Sequence, residues 1–388
     1  MNTANDTHWR DAKRYLWALG LLVPLFPIIG AAIYVVSGQI WGWWFAPLMV
    51  YLIIPLMDLL VGTDRSNPPE SAVPQLEADA YYRYIVYAYI PLQYAGTLIA
   101  VWFACTELGA WGIAGALLSC AYVNGIGINT GHELGHKRDP LSQFLAKVAL
   151  APVAYGHFYV EHNFGHHRNV ATPEDPASSK MGESFWRFLP RTVIGSLRSA
   201  CAIERQRLAR KGLGFWHWRN EVLQAWALTA ILFGACTVWL GWPALVFLAV
   251  QAALGASLLE VINYVEHYGL LRQRGEDGRY ERCLPRHSWN SNHTVTNLLL
   301  YQLQRHSDHH AHPNRSFQAL RHFADSPQLP SGYASMMMLA YVPPLWFRVM
   351  DPRVFAHHHG DLSLANVLPG KAEKLKTKFK QHASHAAA

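Results

Sequence analysis

Long apolar blocks alternate with long polar ones along this chain. The apolar blocks span about 16–36, 40–62, 84–105, 109–130, 222–240 and 243–264. Each is close to the ~20 residues that a helix needs to cross the hydrocarbon core of a bilayer. Very short connections join the first block to the second, the third to the fourth and the fifth to the sixth. Pro24, Pro27, Pro47, Pro55 and Pro91 fall inside blocks, where neighbouring helices can re-satisfy the backbone groups they free. The pattern predicts an all-α integral membrane protein, a single domain over 1–388 with six transmembrane helices. Its two large polar regions are 131–221 and 265–388.

Charge sets the orientation. None of the 33 Lys and Arg residues lies in a block or a short connection. Three precede the first block, two lie around the 63–83 loop, 13 in 132–221 and 15 after the sixth block. The positive-inside rule therefore predicts a multi-pass protein of the cell inner membrane, with both termini and both polar regions cytoplasmic. The net charge of +7 is then a matter of topology and contact with anionic membrane lipid, and predicts no nucleic-acid partner. Arg10, Lys13 and Arg14 precede a long apolar run without a small-residue cleavage site, so the first block reads as a retained span. A further apolar stretch, 144–160, is short for a span and is interrupted by Lys147 and Pro152. It reads as a helix buried in, or lying along, the cytoplasmic face. Only 15% of residues are charged, against roughly a quarter in soluble domains, which argues against an ordinary soluble enzyme.

The 21 histidines crowd into a few windows. His132 and His136 emerge from the fourth block at i,i+4, which places both imidazoles on one helical face. His162 and His166 repeat that spacing, and His167 points about a quarter-turn away, so two could serve one metal and the third another. His306, His309 and His310 are expected to share a helical face. His267, at the end of the sixth block, is a ninth candidate. Three windows spaced HxxxH, HxxxHH and HxxHH on one membrane face point to metal binding, and their number suggests two ions. Imidazole suits Fe, Zn, Cu and Ni, so ligand type does not choose among them. His132-Glu133-Leu134-Gly135-His136 also matches the zincin pattern, but a one-zinc protease has no role for the other clustered histidines. A metal transporter predicts ionisable residues along a path deep in the spans, whereas these histidines lie in the polar windows.

Carboxylates near the windows are candidate partners for imidazole N–H groups: Glu133, Glu161, Glu266 and Asp308, with Asp175 and Glu281. Asp58 and Glu260 lie inside blocks or near their ends, where ionisable groups are functional suspects. The five cysteines, Cys105, Cys120, Cys201, Cys236 and Cys283, are scattered without a CxxC pair. That excludes a rubredoxin-like, Fe–S or zinc-ribbon signature in these residues.

These windows resemble those of the membrane-bound alkane 1-monooxygenases, within the histidine-rich diiron group of fatty-acid desaturases and hydroxylases. The resemblance rests on HELGHK at 132–137, EHNFGHH at 161–167, NYVEHYG at 263–269, LQRHSDHHAHP at 303–313 and NPPE at 67–70. Desaturases typically show HxxHH in the second window. The extra residue here, with HYG, favours the alkane and xylene hydroxylase branch. The resemblance implies two non-haem irons ligated by His132, His136, His162, His166, His167, His306, His309 and His310, with His267 as the ninth ligand. These nine are the expected catalytic and metal-binding residues. His312 is expected outside the ligand set, and His357, His358 and His359 in a solvated loop. The implied reaction is O2-dependent hydroxylation of the terminal methyl of medium-to-long-chain alkanes. A fatty-acyl desaturase or arene-methyl monooxygenase is the alternative. The implied electron source is a rubredoxin with its rubredoxin reductase, docking on basic residues such as Arg168, Arg187, Arg205 and Lys211.

Overall fold

A computed structural model describes residues 9–386; the ends of the 1–388 domain lie outside the described residues. Six helices are long and apolar enough to cross a membrane. They are α1 (Leu16–Ser37), α2 (Ile40–Val61), α3 (Ala80–Thr106), α4 (Ala110–Gly135), α7 (Glu221–Leu240) and α8 (Trp242–His267). Between α4 and α7 lie α5 (Pro140–Leu150) and α6 (Phe185–Ala209). After α8 come α9 (Thr294–Leu299), α10 (His306–Ala311), α11 (Tyr333–Ala340), α12 (Pro343–His357) and α13 (Ala372–Ala386). No β-strand occurs among the described residues, only isolated bridges such as Thr63 with His293.

Side-chain caps mark several helix starts. Asp79 accepts from the Tyr81 N–H at 2.9 Å, Asp139 from Ser142 at 2.8 Å and Asn220 from Val222 at 2.9 Å, each satisfying an orphan donor of a first turn. α4 and α8 form the centre of the bundle and cross where both are glycine. A Cβ on Gly125 would lie 2.8 Å from the Gly255 carbonyl oxygen. Small residues let transmembrane backbones approach this closely. Beside that crossing, Asn124 donates to Gln251 at 2.9 Å and Gln93 donates to Asn124 at 3.1 Å. These bonds satisfy polar groups that would be costly to leave unpaired in lipid. The outer faces stay apolar: Ile231, Val238 and Trp242 are exposed.

The 144–160 stretch does not form a seventh span. α5 ends at Leu150, a short turn carries the chain over Pro152, and Ala154 takes a left-handed conformation at φ 52°. α5 lies against α4, so that a Cβ on Gly131 would meet Leu150 at 3.0 Å. Asp58 accepts the backbone N–H and the hydroxyl of Thr296, which fixes α9 against the end of α2. Glu260 accepts from Tyr155 at 2.7 Å and from Thr192 at 2.8 Å, fastening α8 to α6 and the turn after α5. Both suspect carboxylates thus hold helices together. Arg305 is 1% exposed and donates to the carbonyls of Leu320, Asp64 and Ser66. It ties the NPPE loop to the start of α10.

Candidate metal centre

The last turns of α4 and α8, the helical turn at 158–169 and α10 converge at one end of the bundle. They bring the nine candidate histidines into two groups. His132, His136, His162, His167 and His309 form the first, and His166, His267, His306 and His310 the second. Within each, one nitrogen per ring lies within 4.8 Å of every other.

The division differs from the one expected on helical spacing. In the second window the backbone passes through a π turn at His162–His166. Its wider turn brings His167 to His162, Nε2 to Nε2 at 3.0 Å, and sends His166 to the other group. Both i,i+5 neighbours therefore serve one group where i,i+4 neighbours were expected. In α10 the three histidines do not share one destination either. His306 and His310 meet in the second group at 2.8 Å, while His309 reaches His132 in the first, also at 2.8 Å. At ~100° per residue, His310 lies about 40° beyond His306 and His309 about 60° to the other side. α10 stands between the groups and feeds both.

Ring protonation favours cation binding. Burial holds His136, His162, His167, His306, His309 and His310 well below the usual imidazole range, and neighbouring imidazoles act in the same sense. A neutral imidazole has one lone pair to offer. Burial also works against a charged His166, but the charge of Asp175 and its hydrogen bond outweigh it and raise this group. Asp175 accepts from His166 Nδ1 at 2.9 Å, from the Ser178 hydroxyl at 2.6 Å and from the Ala177 N–H at 3.0 Å. This fixes the ring with Nε2 turned inward, the usual arrangement behind a metal-bound histidine. Ring nitrogens this close, with His136 Nε2 buried and unpartnered, cannot all be satisfied by hydrogen bonds to one another. Each of the two groups could hold a metal ion.

The other predicted carboxylates take different places. Glu266 Oε2 lies 3.1 Å from His306 Nε2. Glu133 pairs with Lys137 at 2.7 Å. Asp308 holds His312 at 2.7 Å and Arg315 at 3.0 Å, anchoring the loop after α10. Glu281 pairs with Arg286 and His287. Glu161 is buried with neither oxygen hydrogen-bonded, and burial pushes its carboxyl up to about 8. His312 joins neither group, and nor do His357, His358 or His359. His357 instead meets the Arg286 carbonyl, and the buried His358 meets that of Gly269.

An apolar cavity leads to the histidines. Val23, Ile54, Leu258 and Ile262 line its length, and His132, His162, His306 and Glu266 line its polar end. Tyr333 of α11 borders that end and donates to Glu266 at 2.7 Å. Sequence reasoning missed Tyr333, which lies in no motif.

The fatty acid desaturase family matches residues 108–340. The chain is similar to the alkane 1-monooxygenase of Acinetobacter baylyi, at 49% identity over 98% of this chain and 94% of that one. It is 47% identical to alkane 1-monooxygenase 1 of Alcanivorax borkumensis, over 97% and 93% of the two chains. The alkane 1-monooxygenase of Ectopseudomonas oleovorans is 47% identical over 95% and 92%.

Proposed function

The chain belongs to the fatty acid desaturase family and, within it, to the alkane 1-monooxygenases, and from that premise we propose its reaction in detail. It hydroxylates the terminal methyl of medium-to-long-chain alkanes to 1-alkanols at two irons, with O2 as cosubstrate. The irons are held by His132, His136, His162, His167 and His309 on one side and by His166, His267, His306 and His310 on the other. The observation that carries this reading is an apolar cavity among membrane-spanning helices that ends on both histidine groups.

The chemistry that the irons supply when bound is activation of O2 and oxidation of an unactivated C–H bond, which no side chain can perform. The chain's own residues bind, orient and exclude water. An alkane offers no polar handle, so its position is set by shape and by burial, worth about 0.8 kcal/mol per CH2. Val23, Ile54, Leu258 and Ile262 provide that surface. The polar end admits the terminal carbon to His132, His162 and His306 while the rest of the chain stays among aliphatic side chains.

One oxygen atom enters the alcohol and the other leaves as water, which requires two electrons and two protons per turnover. The scattered cysteines offer no electron-carrying centre, so the electrons come from rubredoxin, itself reduced by a rubredoxin reductase. The entry edge is the first group, whose His136 and His167 are half-buried while all four members of the second are buried. Arg168 is exposed beside His167, and Arg187, Arg205 and Lys211 are exposed as well, a basic surface suited to an acidic carrier. With the positive-inside orientation, that surface and both termini face the cytoplasm from the inner membrane.

The test is iron content per chain together with octane turnover under a reducing donor system. Two irons and O2-dependent 1-octanol support the reading. One zinc without an O2-dependent product overturns it, and an alkene or benzylic alcohol from matched substrates moves it to the desaturase or arene-methyl alternative.

A further inference from the structure

α11 runs into the membrane-spanning bundle. Gly332, just before it, lies so close to Asp58 that a Cβ there would collide with the carboxylate. α11 then packs along α2 over 54–61 and over 49–53, and Met337 lines the cavity together with Val50. Asp58 and Val50 are eight residues apart, about 12 Å along α2 at 1.5 Å per residue. The turn at 341–342 therefore lies near the level of the middle of α2, well inside its end. Its surroundings are apolar and open: Val342 is 44% exposed, Leu345 49%, and Trp186, which stacks on Tyr341, 56%. A cluster of exposed apolar side chains marks a surface that something apolar covers, and at this depth the cover is lipid.

α12 carries the chain away from that turn, and its outer face changes character. Leu345, Arg348, Pro352 and Phe355 recur every three or four residues and so share one face. α13 covers the far end of this face, where Phe379 stacks on Phe355 at 4.3 Å with the rings 10° apart. Phe347, Arg348, Phe355, Lys378 and Phe379 line a groove between the two helices, and no carboxylate lines it among the described residues. Pro344, next to Leu345, lines its other end, so the groove continues into the apolar tip. Lys378 is held by Asp351 at 3.5 Å, and Asp351 is itself buried and accepts from the Tyr268 hydroxyl at 2.8 Å. Arg348 and Arg353 are exposed, as are Lys371 and Lys374 of α13. Glu373, the acidic neighbour on α13, is engaged by Lys376 at 3.0 Å.

A phospholipid with an anionic head presents the matching order of chemistry, a negative phosphate at one end and apolar chains at the other. Basic pockets beside a membrane attract such heads, and long cationic side chains reach them while their stems stay on apolar surface. We propose that the groove between α12 and α13 binds one anionic phospholipid. Arg348 and Lys378 hold its phosphate, and its acyl chains lie along Leu345 and Val342. The site involves no histidine of either group and stands independently of the metal content.

The test is native mass spectrometry of the full-length protein, stripped of lipid in detergent and titrated with phosphatidylglycerol or phosphatidylcholine. Wild type is expected to retain one phosphatidylglycerol at a concentration at least about tenfold below that needed for phosphatidylcholine. Arg348→Gln and Lys378→Gln should each lose most of that preference. Arg210→Gln, which removes an exposed charge at the end of α6, should keep it. Lys378 also pairs with Asp351, so if Lys378→Gln unfolds, Arg348→Gln decides. Equal retention of the two lipids by wild type overturns the proposal, as does a preference that survives Arg348→Gln. An equal loss in Arg210→Gln would make the attraction a matter of total charge and overturn the site. Glycerol phosphate carries the head charge without chains and should not displace the lipid. Displacement at matched concentration would reduce the groove to an anion site and overturn the lipid assignment.

Discussion

His166 and Asp175 are joined by a 2.9 Å hydrogen bond from imidazole Nδ1 to a carboxylate that is itself held by Ser178 and the Ala177 N–H. No other histidine of the two groups has a carboxylate hydrogen-bonded at Nδ1 among the described residues; Nδ1 of His267, His306 and His310 is buried without a partner. The second group therefore depends on Asp175 for the orientation and basicity of one of its rings. Asp175→Ala is expected to weaken iron binding there by about 10–100-fold. Timed removal of iron by a chelator checks this: one iron should leave the variant early and the other at the wild-type rate. Equal release of both would contradict it.

A second prediction concerns pH. Burial alone would raise the carboxyl of Asp64, but the Lys13 ammonium at 2.6 Å and the Ser66 hydrogen bonds hold it down at about 2. A carboxyl depressed in the folded state stabilises above its unfolded pKa of about 4, and that stabilisation is lost as pH falls toward 2. The pair is partly exposed, so solvent screening leaves about 1 kcal/mol at most. Asp64→Asn should lower thermal stability in detergent at pH 7, and the difference from wild type should close between pH 4 and pH 2. A constant difference across that range would mean that the ion pair is not its cause.

Much of this architecture is legible without coordinates because a bilayer asks only for length and apolarity, which six blocks display. The histidines are legible because their windows are local, with His132 and His136, or His306 and His310, one helical turn apart. Their division is not, because i,i+4 spacing presumes α geometry and nothing in HNFGHH announces a π turn. The roles of Asp58 and Glu260 were also hidden. Their cost inside a membrane marks them as important, yet only the fold shows Thr296 and Tyr155 as their partners. Tyr333 comes to Glu266 from 67 residues further along the chain, a long-range contact that no motif encodes.

The cavity makes a prediction about chain length. Leu258 and Glu266 are eight residues apart on α8, which is about 12 Å along its axis at 1.5 Å per residue. Both line the cavity, with Glu266 next to His267 in the chain and Leu258 nine residues before it. Leu258→Trp should therefore block long alkanes before short ones. Hexadecane turnover is expected to fall at least about tenfold relative to octane, since a blocked aliphatic site forfeits several CH2 burials. Parallel losses on both substrates would place the obstruction elsewhere.

Electron delivery should depend on charge near the half-buried edge of the first group. Arg168 is exposed and adjoins His167. Rim charges act mainly on association rate and salt dependence. Arg168→Glu should lower kcat/KM for reduced rubredoxin about tenfold at low ionic strength, and the loss should shrink as salt screens the surface. Iron content and turnover at saturating donor should stay near wild type. An unchanged salt profile would remove Arg168 from the docking surface.

The last prediction tests why the second window needs its π turn. α10 divides its histidines with HxxHH in plain α geometry: His306 and His310 go to one group and His309 to the other. The window at 162–167 makes the same division with one more residue, His162 and His167 to one group and His166 to the other, through the wider π turn. The extra residue and the wider turn compensate for each other. Deleting Phe164, whose side chain is 53% exposed and contributes little packing, shortens the window to HxxHH. If the turn relaxes to α, the former His167 stands at i+4 from His162 and the former His166 at i+3, the pattern of α10. The deletion variant is therefore expected to retain both irons, whereas an alanine inserted after Phe164 leaves neither geometry available and should lose at least one. Iron per chain, measured on both variants beside His167→Ala, distinguishes the outcomes. Loss of iron on deletion equal to that on insertion would show that the π turn is required for its own shape and not as the accommodation of one added residue.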